Sequence, residues 1–295
     1  MHLELAFHFS NPPGAILLYL FMALASGLLW GVWGFGYGRY GRVMSRYSVI
    51  LISACGAALV YLTAGLIGHD ILIDMVDVSD GLFGGLLNLL GSVMLLRAVT
   101  VGKIGVASGV SAAYVLVPLG YSFVIGEAIS TRDIAGGLVI IFALVLFFLR
   151  KEGASGPATR PLLSIALASA SATFFGAAVV VLDVGTKNNL YGTLFVGQLP
   201  GIAVSLVMLA SARSFGGLKA RDIGPLAATG LALGLAGVAF YTAADHGDLG
   251  IASVISSINP VATAVLAYVF LKEKLVGSEI RALAILLAGI ALIVI

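Results

Sequence analysis

Ile251–Lys274, IASVISSINPVATAVLAYVFLKEK, is apolar enough to cross a bilayer as a helix, yet it carries Ser256, Ser257, Asn259 and Pro260 at mid-length. About 20 such residues span the hydrocarbon core. Proline has no N–H to donate, and its ring displaces the carbonyl four residues earlier, here that of Ser256. A helix break is therefore expected at Asn259-Pro260. Ile104–Glu127, IGVASGVSAAYVLVPLGYSFVIGE, repeats the design: small residues and serines, then a proline, then an acidic end. Pro118 should free the carbonyl of Tyr114 in the same way. Freed carbonyls at membrane depth need partners, and in transporters such breaks commonly line the substrate path.

The composition fits an integral membrane protein. Of 295 residues, 60% are hydrophobic and 10% charged, and the mean hydropathy is +1.10. A soluble domain carries about a quarter charged residues. The 38 glycines suit close helix packing in lipid. A net charge of +2 gives no reason to expect a nucleic-acid partner. Cys55 is the single cysteine, so an internal disulfide and a thiolate metal site are excluded. His2, His8, His69 and His246 fall in the tail or in predicted loops, and no metal or cofactor is expected. The first apolar run reads as a span and not as a cleaved leader.

Ten spans are expected, near 14–36, 46–68, 80–96, 104–125, 133–149, 162–182, 190–212, 223–244, 251–274 and 279–295. The polar run Arg150–Arg160 separates them into fives. A shift of about 145 positions superposes the halves: Ala25-Ser26 falls on Ala170-Ser171, Gly31 on Gly176, Gly85 on Gly230, Ser111 on Ser256. An odd number of spans per half makes the repeat inverted. The fold expected is all-α, ten transmembrane helices in two inverted five-helix units, 1–150 and 162–295, with a linker at 151–161.

Charge supports the inversion. Loop 2 holds Asp70, Asp74, Asp77 and Asp80, whereas its counterpart, loop 7, holds Arg213, Lys219 and Arg221. The odd-numbered loops carry fourteen Lys and Arg, the even-numbered loops two, Arg132 and Lys187. The positive-inside rule then places odd loops in the cytoplasm and both termini outside an inner (plasma) membrane.

The chain resembles the drug/metabolite transporter superfamily, in particular its ten-span EamA-type members. The resemblance rests on ASGLLWGVWG at 25–34, AVTVGKIGVAS at 98–108, Gly126-Glu127, and ADHGDLGIASVISSINPVATAVLAYVFLKEKL at 244–275. It implies secondary transport of small metabolites through a central cavity between the halves. It also implies both termini in the cytoplasm, the reverse of the charge count. The small multidrug transporters of the same superfamily use a glutamate buried in their first span. Leu, Trp and Gly occupy that region here, which argues against cation/proton antiport by that route.

Mid-membrane polar residues tend to face the bundle interior. The candidates are Asn88 and Ser92, Ser111 and Tyr114, Gln198, Tyr241, and Ser256, Ser257 and Asn259. Trp30 and Trp33 add aromatic walls, with Phe175 the repeat counterpart of Trp30, and Tyr37 reads as an interfacial belt residue. The substrate-binding set expected is Trp30, Trp33, Asn88, Tyr114, Tyr241, Ser256 and Asn259, with helix breaks at Pro118 and Pro260. Gln198 reads chiefly as a helix-joining amide. Gly27/Gly31, Gly81/Gly85 and Gly230/Gly234 have the GxxxG spacing of helix contacts. No acidic residue is placed deep in spans 1, 2, 3, 7, 8 or 10. Glu127 and Glu273 are expected to organise turns, with Lys272 and Lys274 beside Glu273. No Walker loop, HExxH motif or histidine-activated serine is present, so neither an ATP-driven pump nor an enzyme is expected.

The function expected is secondary transport, by alternating access, of a small neutral or zwitterionic metabolite, amino-acid-like compounds first. A sugar or nucleoside carrier is the alternative, and a non-transporting assembly or lipid-handling protein is the alternative from another class. The partners expected are substrate and membrane lipid, in a monomer or weak homodimer. On this reading Asn259→Leu should weaken substrate binding and Gln198→Leu should change little.

Overall fold

The computed structural model describes residues 13–41, 43–68, 73–101, 107, 110–126, 130–148, 160–271 and scattered positions between 277 and 292. Every element described is helical: α1 Pro13–Tyr40, α2 Arg46–Gly68, α3 Met75–Val101, a 3-10 turn Ala113–Val115 running into α4 Leu116–Val124, α5 Thr131–Phe148, α6 Pro161–Thr186, α7 Leu190–Ala212, α8 Ala220–His246, α9 Leu249–Ser256 and α10 Asn259–Leu271. Seven segments are long and apolar enough to span a membrane, α9 and α10 together forming one; Val110–Val124 and Ile134–Ala143 are shorter apolar helices. Ten spans were expected. The tenth, with Glu273, Lys272 and Lys274 before it, falls mostly outside the described residues, as does Glu127.

Side chains at the helix ends explain where several elements stop. Pro161 opens α6 at a position where its missing N–H costs nothing. Asn189 caps α7 by accepting the Gly192 N–H at 2.7 Å. The turn after α7 has Arg213, Gly216 and Gly217 at positive φ. α3 starts five residues earlier than expected and α6 runs four further. Asp77 and Asp183 thus enter the first turn of α3 and the last turn of α6, and both are buried. The placement of carboxylates outside the spans is corrected here, because local partners satisfy them. Asp77 accepts from the Asp74 N–H at 3.0 Å, the Asn188 amide at 3.0 Å and the Thr193 hydroxyl at 3.3 Å. Lys187 pairs with Asp183 at 3.0 Å.

The break expected at Asn259-Pro260 is present. α9 ends at Ser256, Ser257 and Ile258 form a turn, and α10 restarts at Asn259. Pro260 therefore lies in the first turn of a new helix, where proline is tolerated. Pro118 likewise lies in the first turn of α4, just after the 3-10 segment.

The packing is built on five helix crossings. α1 lies on α8, α3 on α6, α2 on α7, and both α2–α8 and α3–α7 make contact; α9 and α10 cover α1, and α4 covers α6. Glycine lets these helices approach. A Cβ on Gly31 would overlap that of Ala262 and lie 2.9 Å from the Asn259 carbonyl oxygen, and one on Gly176 would lie 2.6 Å from the Tyr114 oxygen. All three GxxxG pairs are helix contacts: Gly81 and Gly85 face α7, Gly230 and Gly234 face α2, Gly27 and Gly31 face the α9–α10 break.

The loops sort to two ends. At one, the Ser45 N–H donates to the Gly216 carbonyl at 2.8 Å and the Arg160 N–H to the Val101 carbonyl at 3.1 Å, so odd-numbered connections meet. At the other, Asn188 bridges to Asp74 and Asp77, joining loops 2 and 6. One end is thus rich in arginine and lysine, the other in aspartate. Large apolar side chains such as Leu59, Phe83, Leu86, Val207 and Phe270 point outward, as expected where lipid is the solvent.

Candidate functional site

Five of the helices enclose a small polar cavity at the α2–α7 crossing. Trp33 and Tyr37 reach it from α1, Ser53 from α2, Asn88 and Ser92 from α3, and Gln198 from α7, with Leu233 of α8 completing the wall. Its volume is about 20 Å³, room for roughly one water molecule. The α3–α7 contact at Gly85 and Gly197 forms part of the same wall and sets its width. None of the described lining residues is Asp, Glu, Lys, Arg or His.

Two polar atoms here are buried without a hydrogen-bond partner, the Trp33 Nε1 and the Ser53 Oγ. Buried polar groups are almost always paired, so such orphans mark a place where a ligand or water supplies the bond. Tyr37 and Ser92 both line the cavity, and the Tyr37 ring stands 4.4 Å from that of Trp33 at 43°. Tyr37 is 5% exposed, which corrects its expected place in an interfacial belt. Gln198 lies in this wall too.

The remaining expected residues form two neighbouring groups. Trp30 packs edge-on to Tyr114 at 6.5 Å and against Phe240 at 5.0 Å, and Phe240 meets Tyr241 at 5.0 Å. Tyr114, Phe240 and Tyr241 are buried and Trp30 partly so, and the Tyr114 hydroxyl has no partner. Ser256 instead serves the helix break: its hydroxyl lies 2.6 Å from that of Ser26 and donates to the Ala23 carbonyl at 2.9 Å. Asn259 is half-buried at the start of α10, and its carbonyl accepts from Thr263 at 3.0 Å. Thus the structure joins Trp33 and Asn88 in one cavity, groups Trp30, Tyr114 and Tyr241 beside it, and places Ser256 and Asn259 against α1.

Sequence reading missed Tyr37 and Ser53 as cavity residues and left Gln198 outside the expected substrate-binding set. One signal was available: in the register of 145, Ser53 falls on Gln198, so both come from equivalent positions of α2 and α7.

A second cavity, about 440 Å³, opens at the basic end between Gly41, Ser45, Arg46, Thr100, Met208 and Ala212. A buried cluster including Tyr40, Met44, Leu89 and Leu96 lies between the two. At the opposite end, the Asp77–Asn188–Thr193 network joins α3 to α7 and to the loop before it. Asp74, outside the membrane-spanning segments, has its carboxyl held below the usual carboxylate range, first by the Asp77 N–H and further by Asn188 and the Val76 N–H.

Residues 162–295 match the EamA-like transporter family, which bears out the resemblance to EamA-type drug/metabolite transporters read from the sequence. The family points to a membrane transporter and away from an enzyme. A protein crystal structure aligns over 96% of this chain and 97% of its own at 18% identity, with a TM-score of 0.78; it shares the fold. A structure of the sodium-calcium exchanger NCX_Mj, soaked with zero Na+ and Ca2+, aligns over 95% of this chain and 97% of its own at 16% identity, but its TM-score of 0.19 carries no argument. No curated protein matches the chain.

Proposed function

We propose that the chain is a ten-helix secondary transporter of a small neutral or zwitterionic metabolite, working by alternating access. Its halves, 1–150 and 162–295, are inverted repeats joined by 151–161. Contacts that exchange under the 145-residue shift support this. The bounds of α3, 75–101, become those of α8, 220–246. The Ser26–Ser256 pair becomes Ser171–Ser111, whose hydroxyls lie 3.1 Å apart. Gly31 on Asn259 becomes Gly176 on Tyr114, and Gly85 on Gly197 becomes Gly230 on Ile52. The α1–α8 and α3–α6 pairs also exchange.

The observation that carries the function is the cavity with orphaned donors at the α2–α7 crossing, on the axis that relates the halves. A site there is reachable from either end by rocking one half against the other. The arginine- and lysine-rich end is cytoplasmic on the positive-inside rule, which leaves both termini outside the inner membrane. Purified protein in liposomes, loaded with pooled metabolites, tests the reading. Metabolite counterflow supports a carrier; flux of lipid alone would replace it with lipid handling.

A further inference from the structure

We infer that the cavity takes an uncharged, ring-bearing solute rich in hydrogen-bond acceptors, of the sugar or nucleoside class, and rejects zwitterions. This rests on the transport reading above and narrows it to the neutral case, in place of the amino-acid-like compounds that the sequence put first.

The Trp33 Nε1–H can only donate, and in this structure it donates to nothing. Its ligand must bring an acceptor oxygen or nitrogen. The Ser53 hydroxyl, 2% exposed and likewise unpartnered, gives a second bond of either sense. Asn88 and Gln198 add two amides, each both donor and acceptor, from α3 and α7. That inventory suits hydroxyls, ring oxygens and base carbonyls.

The cavity offers a zwitterion nothing of the kind. An ammonium and a carboxylate would both lose water with no opposite charge among the described lining residues. Ions without a counter-charge are strongly disfavoured at membrane depth, whereas a hydroxyl loses only bonds that the cavity returns. The wall is also asymmetric. The repeat equivalents of Trp33, Tyr37, Asn88 and Ser92 are Ala178, Leu182, Leu233 and Gly237. First-half helices supply the aromatic rings and most of the polar edges, while the second half adds the Gln198 amide and the apolar Leu233. A ring with polar substituents on one side and an apolar face fits that wall. Contracted to about 20 Å³, the cavity admits such a solute only with the opening that alternating access supplies.

The test is counterflow in proteoliposomes with four labelled probes, uridine, ribose, alanine and glutamine. Uridine or ribose should exchange, and excess alanine or glutamine should not compete. Trp33→Phe keeps the ring and removes only the N–H, and Ser53→Ala removes only the hydroxyl. Each should raise the apparent Kd of the exchanging solute about tenfold in protein that stays monodisperse. Exchange of alanine or glutamine in place of uridine and ribose overturns the class while leaving the carrier reading intact. Full affinity in both variants overturns it as well. Exchange of none of the four overturns it too, and the pooled-metabolite screen then decides the carrier reading on its own.

Discussion

Gly85→Ala tests the crossing that sets the cavity's width. Alanine in an exposed helix interior is favoured over glycine by about 1 kcal/mol. At Gly85 the new Cβ would overlap the Gly197 carbonyl oxygen and lie 2.8 Å and 2.9 Å from that residue's C and Cα. These are backbone atoms of α7 and cannot rotate away, so α3 and α7 must part. Overpacking of a tight core costs about 1–3 kcal/mol, and a backbone partner puts this site at the upper end. The net is a loss of about 1–2 kcal/mol after the propensity gain. Gly120→Ala is the control, because a Cβ there meets nothing within 4 Å and only the gain of up to about 1 kcal/mol remains. Thermal unfolding of the two purified variants in one detergent should therefore shift in opposite directions. Gly85→Ala should also weaken solute binding, since it separates Asn88 from Gln198. Equal stabilisation of both variants would refute the close α3–α7 crossing and the cavity geometry built on it.

Gln198→Leu should lower solute affinity about tenfold by removing a cavity amide, measured by counterflow competition, and Asn259→Leu should lower it less; the reverse order would return the site to the α9–α10 break. Asp77→Ala leaves the Asp74 N–H and the Thr193 hydroxyl without their acceptor and the Asn188 amide with Asp74 alone, and should cost about 2–3 kcal/mol in a thermal unfolding assay. Asp74 has a depressed pKa in the folded state, so its stabilisation is present above the usual value of 3.8 and is lost as pH falls through the folded value; the stability gap between parent and Asp74→Ala should be constant near neutrality and close in acid. With Cys55 replaced by serine, an impermeant thiol reagent on intact cells should label Asp245→Cys and spare Ala220→Cys; the opposite pattern would invert the orientation.

Much of the framework was readable because membrane helices and repeats leave coarse marks. α2 and α7 were placed to the residue, since both are apolar throughout and end at turn-forming residues. The serine pairs were foreshadowed by Ser26 falling on Ser171 and Ser111 on Ser256. Helix ends carrying Asp77, Asp183 and Asp222 were cut short, because hydropathy penalises a carboxylate whether or not its neighbours satisfy it. The burial of Tyr37 and the place of Gln198 in the cavity wall escaped the sequence for a different reason. Hydropathy reports depth and says nothing about which side of a uniformly apolar helix meets a neighbour. The direction Gln198 takes is set by the α3–α7 contact at Gly85 and Gly197, a pairing that spacing announces without naming its partner.

The charge-free lining of the cavity also bears on energetics. Each elementary charge carried across a membrane gains or loses about 2.3 kcal/mol per 100 mV. An uncharged solute held by Trp33, Ser53, Asn88 and Gln198 carries none, and no described side chain around it carries any for it. The membrane potential then has no purchase on the loaded step. On the reading proposed above, a carrier that moves this solute with no coupled ion would equalise it on the two sides, and net movement would follow whichever compartment makes the solute or consumes it.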